Sequence, residues 1–213
     1  MASVVDICNL ALAHIGDAAA VSAISPSDGS AQADHCARFY PISRDSLLEL
    51  FDWDFARRRV SLAEVATAPP ASWAYAYAFP SSCARVLAIQ YDGATDDTAS
   101  EDYITETLAD GSRVIYTNCE SAVCRYTKLI SDPAKFTPLF VTTLSFVLGS
   151  YLAGPVAKDR GLGEALYKRA LAELGKASTS SANAQQSKPV HTPPWVAARG
   201  MANPFTMPGR IIR

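Results

Sequence analysis

The sequence holds little of what site chemistry usually needs. Its three histidines, His14, His35 and His191, are far apart, and none stands at metal-ligand spacing from a cysteine, histidine or carboxylate, so no metal centre is signalled. Five cysteines, Cys8, Cys36, Cys83, Cys119 and Cys124, form an odd and scattered set without a C-x-x-C pair. That pattern excludes a disulfide framework and a zinc site, and fits reduced, buried thiols. G-x-S-x-G, G-x-x-x-x-G-K-[ST], H-E-x-x-H and G-x-G-x-x-G are all missing, which leaves no nucleophile elbow, phosphate cradle or dinucleotide turn, and no cofactor is expected. Charge of either sign is not in excess: Lys+Arg 19 against Asp+Glu 21 gives a net charge of -2, no basis for a general affinity for nucleic acid. Met1-Ala2-Ser3 leads straight into a helical pattern without a basic n-region, so secretion by the usual route is not expected.

What is present centres on Asp132 to Lys158. Asp132 and Pro133 have the chemistry of a helix start, an acceptor for orphan amides followed by a residue that has none to offer. No charge occurs between Lys135 and Lys158, and Leu139, Phe140, Val141, Leu144, Phe146, Val147, Leu148, Tyr151 and Leu152 lie nearly all round a helical projection. A helix apolar on every side must be covered on every side. It is long enough to span a bilayer, but its Thr, Ser, Gly and Pro content and its unanchored ends favour burial by protein over lipid, and no membrane partner is expected.

Before it, Val5, Cys8, Leu12 and Ile15 recur at helical spacing behind a Ser3/Asp6 capping box, and Ala33, Cys36, Ala37, Tyr40, Leu47, Leu48 and Phe51 repeat the pattern across Pro41. At Trp73 the period drops to two, with Trp73, Tyr75, Tyr77 and Phe79 aromatic. Further strands are predicted over 85–91, 103–107, 113–117 and 123–130, with Asp110-Gly111 as a hairpin turn. A last helix runs to Gly175. The expected fold is therefore α+β, mainly α. About four helices (about 3–15, 30–56, 133–158 and 162–175) form a bundle with a small inserted antiparallel β region (about 73–130), making one domain over 1–177. Residues 178–213 read as a linker and an extended Pro-rich C-terminal arm, too poor in apolar residues for a core of its own but carrying aromatic and methionine anchors suited to a partner surface.

Two charge runs stand out. Asp92, Asp96, Asp97, Glu101, Asp102, Glu106 and Asp110 lack the rhythm of a calcium loop and read as a solvated acidic loop. Paired carboxylates such as Glu101 and Glu106 give the alternative function, a tail-associated cell-wall hydrolase. Arg57-Arg58-Arg59 reads as the cationic end of the second helix.

Taken in order, Ile7-Cys8-Asn9-Leu10-Ala11-Leu12, His14-Ile15-Gly16, Ala33 to Tyr40, Arg44-Asp45-Ser46-Leu47-Leu48, Trp53-Asp54-Phe55-Ala56, Ser61-Leu62-Ala63, Trp73-Ala74-Tyr75-Ala76-Tyr77, Arg85-Val86, Arg125-Tyr126, Asp132-Pro133, Pro138-Leu139-Phe140 and Leu152-Ala153-Gly154-Pro155 resemble the head-to-tail adaptor family of short-tailed bacteriophages, also called tail tubular protein A. The resemblance implies a structural virion protein and not an enzyme. It would be made in the host cytoplasm and located at the head-tail junction as a homo-oligomeric ring, a dodecamer, between the portal protein and the tail nozzle protein. Phage DNA would pass transiently through its channel. In such a ring Phe140, Leu144, Phe146 and Tyr151 are the expected subunit interface. Trp195, Met201, Phe205, Met207, Ile211 and Ile212 are the expected anchors of a portal-binding arm.

Overall fold

In a computed structural model that describes residues 2–18, 20–94 and 100–184, four α-helices and six strands follow one another. Helix α1 (Val4–His14) starts on the capping box: the Asp6 amide donates to the Ser3 hydroxyl at 3.1 Å and the Ser3 amide to the Asp6 carboxylate at 2.8 Å. It stops where Gly16 adopts φ 79°, a left-handed turn open to glycine. Helix α2 (Ala31–Leu50) is capped by Ser30 and contains Pro41. Asp28 fixes the loop before it, accepting from the amides and hydroxyls of both Ser22 and Ser30.

The helix predicted over 30–56 ends early, because at Phe51 the backbone turns extended. Trp53 then folds back into the core, its indole N–H donating to the Leu47 carbonyl at 2.9 Å. The arginine triplet is no helix end: it belongs to strand β1 (Arg57–Ser61). The remaining strands are β2 (Tyr75–Ala78), β3 (Cys83–Tyr91), β4 (Tyr103–Thr107), β5 (Arg113–Thr117) and β6 (Ala122–Lys128). They form two antiparallel three-stranded sheets, ordered β1-β6-β3 and β2-β5-β4. Asp110 and Gly111 (φ 83°) make the β4–β5 turn, where the Ser112 amide and hydroxyl both donate to the Asp110 carboxylate.

These sheets correct the expected mainly-α bundle with a small β insert. The strand region begins at Arg57 and has two apolar clusters of its own. Tyr77, Ile89, Ile115, Cys124 and Tyr126 form one, joining both sheets. Ala76, Val114 and Tyr116 form the other, on the opposite face of β2-β5-β4, against Val65, Trp73 and Leu108. β5 is buried on both faces, with Val114 and Tyr116 on one and Ile115 and Thr117 on the other, so it requires cover on both.

The stretch after β6 also departs from expectation. Asp132 caps a single 3-10 turn, Pro133–Lys135, and helix α3 (Pro138–Ala153) starts afresh at Thr137-Pro138, a second start of the same chemistry. Eleven of the 16 residues of α3 are buried, leaving Pro138, Thr142 and Tyr151 exposed. Its polar residues fit because their hydroxyls bond back along the helix: Thr143 Oγ1 donates to the Leu139 carbonyl at 2.8 Å and Ser145 Oγ to that of Thr142 at 2.8 Å. Among the described residues no helix is long and apolar enough to cross a membrane. Helix α4 (Arg160–Ala184) runs well past the predicted end at 175, so 178–184, expected as linker, is helical. Residues Met1–Ser181 form one compact unit. Ala182–Arg213 form a second, of which only 182–184 are described.

Candidate interaction surface

Helix α3 packs along α1 and α2, and α4 runs antiparallel to it, with Gly163 at Ser150, Leu166 at Gly149 and Arg169 at Phe146. Two glycines set these approaches. A Cβ on Gly163 would lie 3.0 Å from the Ser150 carbonyl oxygen, and one on Gly149 3.3 Å from both the Ala11 carbonyl oxygen and Leu166 Cδ1. The close fit buries one side of α4, through Leu166, Ala170 and Ala177, and leaves the other side outward.

That outward side, with the end of α3, frames a groove of about 670 Å³ lined by Tyr151, Gly154, Arg160, Glu164, Tyr167 and Lys168, among others. Tyr151 is 41% exposed, Tyr167 45% and Leu171 44%, large apolar groups held in water. The Phe39 ring stacks on Tyr151 at 5.9 Å and on His35 at 6.4 Å, extending the aromatic strip onto α2. Charged side chains of both signs border it. A surface of this composition can bind a protein partner through aromatic contact with a polar rim.

The predicted site residues separate. Phe140, Leu144 and Phe146 lie in this chain's own core, at 0%, 0% and 4% exposure. Phe140 meets Trp53, Phe55 and Phe136 with centroids 4.7–5.1 Å apart. Sister helices of the same chain cover them; of the four, only Tyr151 is exposed. Trp195, Met201, Phe205, Met207, Ile211 and Ile212 lie outside the described residues. Tyr167 and Leu171 escaped the sequence reading, although their i, i+4 spacing on the side of α4 away from Leu166 and Ala170 was a visible signal of a second apolar face.

No protein-family model and no curated protein matches the chain.

His14, Tyr40 and the cysteines are packing elements. His14 stacks on Phe146 at 4.2 Å, and its Nε2 lies 3.1 Å from Ser145 Oγ. Since that hydroxyl already donates to Thr142, the imidazole donates to it as the Nε2–H tautomer. Burial, and next the positive charge of Arg169, hold the His14 pKa below its ordinary value. The Tyr40 phenol is pushed up to about 12 by burial. All five cysteines are free thiols and buried. Interaction with the Cys36 thiol of α2, and next burial, raise the Cys8 pKa above its ordinary value, so Cys8 stays protonated. Glu101 and Glu106 are exposed, so neither is desolvated as a general acid must be. Asp96 and Asp97 lie outside the described residues, among which no group of three or more His, Cys, Asp or Glu could hold a metal ion.

Proposed function

We propose that the chain is a structural virion protein, a head-to-tail adaptor that assembles as a ring between portal and tail nozzle and leaves a channel for DNA. One observation carries the reading. The segments that resemble the adaptor family supply the helical core: Ile7, Cys8, Ala11, Leu12 and Ile15, then Ala33, Cys36 and Tyr40, then Leu47, Leu48, Trp53 and Ala56, then Phe140, Leu152 and Ala153 are all buried in one cluster. A resemblance confined to scattered surface positions would say nothing about fold. Residues that pack on one another must be kept together, so an ordered match among them supports a shared scaffold. The aromatic groove of α3 and α4 supplies a surface for fitting, and the exposed Glu101 and Glu106 give the hydrolase reading no support.

Mixing the full chain with portal rings from the same genome, followed by electron microscopy, tests the proposal. A second ring stacked coaxially on the portal is the expected image. A chain that stays apart from portal at every concentration overturns it. Removing Lys188 to Arg213 is expected to leave the helical and sheet signals intact and to weaken that attachment, which co-sedimentation reads directly.

A further inference from the structure

Each sheet ends in a short strand whose last four residues are exposed. β1 is the edge of β1-β6-β3 and β4 the edge of β2-β5-β4. β4 pairs with β5 alone, and between it and β3 the sheets part around a recess of about 240 Å³ lined by Val86, Tyr103 and Thr105, among others. Main-chain directions follow from the ladders. The Leu62 amide donates to Ala122 and the Lys128 amide to Ala56, so Arg59 and Ser61 direct their backbone groups away from β6. The Leu108 amide donates to Ser112, so Tyr103, Thr105 and Thr107 direct theirs away from β5.

The side chains of the two edges are complementary. Arg57-Arg58-Arg59-Val60-Ser61 is basic with one exposed apolar residue, Val60. Tyr103-Ile104-Thr105-Glu106-Thr107, flanked by Glu101, Asp102 and Asp110, is acidic with one, Ile104. Set antiparallel with Val60 opposite Ile104, the strands place Arg58 opposite Glu106. The same register puts Arg59 against Thr105 and Ser61 against Tyr103, the positions whose backbone groups point outward on both sides. Val60–Ile104 and Arg58–Glu106 then fall at the non-hydrogen-bonded sites, where side chains across a ladder come closest. The Arg57 amide already donates to Trp53, so the ladder begins at Arg59.

We propose that β1 of one copy pairs in this register with β4 of the next, joining copies head to tail through a continuous sheet. Such a contact uses two different patches, so it propagates until a ring closes. It names the subunit contact for the ring reading above and in that respect rests on it.

The test is the mass distribution of the full chain by sedimentation and mass photometry, with circular dichroism confirming that each variant is folded. Arg58→Glu and Glu106→Arg each place like charges opposite one another and are expected to weaken association by about tenfold or more. Mixing the two variants restores it, because each altered strand then meets its complement in the other protein. Thr105→Pro, tolerated on an edge strand, removes an outward amide and blocks association without charge change. Wild-type association that all three variants share unchanged overturns the β1–β4 contact and leaves the ring reading to another surface. A wild-type chain that is monomeric at every concentration, alone and with portal, overturns both.

Discussion

Replacing Phe140 by alanine tests where α3 finds its cover. The side chain is fully buried, and its ring meets Phe136 at 4.7 Å, Trp53 at 5.0 Å and Phe55 at 5.1 Å, the latter two edge-on. Truncating a buried phenylalanine costs about 3–5 kcal/mol through lost transfer energy and the cavity left behind. Three surrounding rings cannot all collapse into that cavity without losing their mutual geometry, so the upper part of the range is expected. Against a total stability of about 5–15 kcal/mol for a chain of this kind, the loss is large enough to lower the urea midpoint plainly. The assay is equilibrium urea unfolding followed by far-ultraviolet circular dichroism at two protein concentrations. Because the partners belong to the same chain, the loss is the same at both. If sister subunits supplied the cover, the variant would instead lose association, and its midpoint would move with concentration. Tyr151→Ala, at the rim of the groove, serves as the contrast, with a cost of about 1 kcal/mol or less. A Phe140→Ala loss under about 1 kcal/mol, or one that depends on protein concentration, refutes the intramolecular core described here.

Three further outcomes are expected. Gly163→Ala drives a Cβ to 3.0 Å from the Ser150 carbonyl oxygen and lowers the melting temperature, since overpacking of about 1–3 kcal/mol outweighs the helix-propensity gain of about 1 kcal/mol. Gly175→Ala meets nothing within 4 Å and raises the melting temperature, by about 0.5–1 kcal/mol of stability. His14, whose pKa is held below its ordinary 6.5 in the folded chain, binds protons more readily when unfolded. Its contribution is therefore complete above that pH and declines as the pH falls below it, and His14→Gln flattens this part of a stability-against-pH curve measured by urea midpoints.

Where the sequence was readable, the decisive interactions were local. β4 and β5 occupy the predicted spans 103–107 and 113–117, because one Asp-Gly turn sets their register. The Ser3 box and the Gly16 stop of α1 are contacts between near neighbours. What stayed hidden depended on distant partners. Arg57–Ser61 has no alternation and three successive cations, and becomes a strand only because β6, far along the chain, pairs with it residue for residue. Asp132-Pro133 and Thr137-Pro138 are equivalent as start signals, and only packing decides that the first yields a single turn. The apolar girdle of α3 correctly demanded cover, but periodicity does not say whose side chains provide it. Phe140, Leu144 and Phe146 turned out to be covered by α1, α2, α4 and the Trp53–Phe55 segment. Likewise the groove at Tyr151 and Tyr167 exists only because Gly163 lets two helices meet.

The pairing of β1 with β6 also bears on how the chain finds its fold. The Lys128 amide donates to the Ala56 carbonyl at 2.9 Å, so the backbone leaving α2 and the backbone approaching α3 are fastened side by side. Helix α3 cannot meet α2 without closing the whole intervening loop, and closure entropy rises with loop length. Once those two strands have zipped, only the short connections outside them remain to be ordered. Nucleation among the strands thus shortens the conformational search of the helices, and the last contacts to form are expected to be the side-chain interlocks around α3.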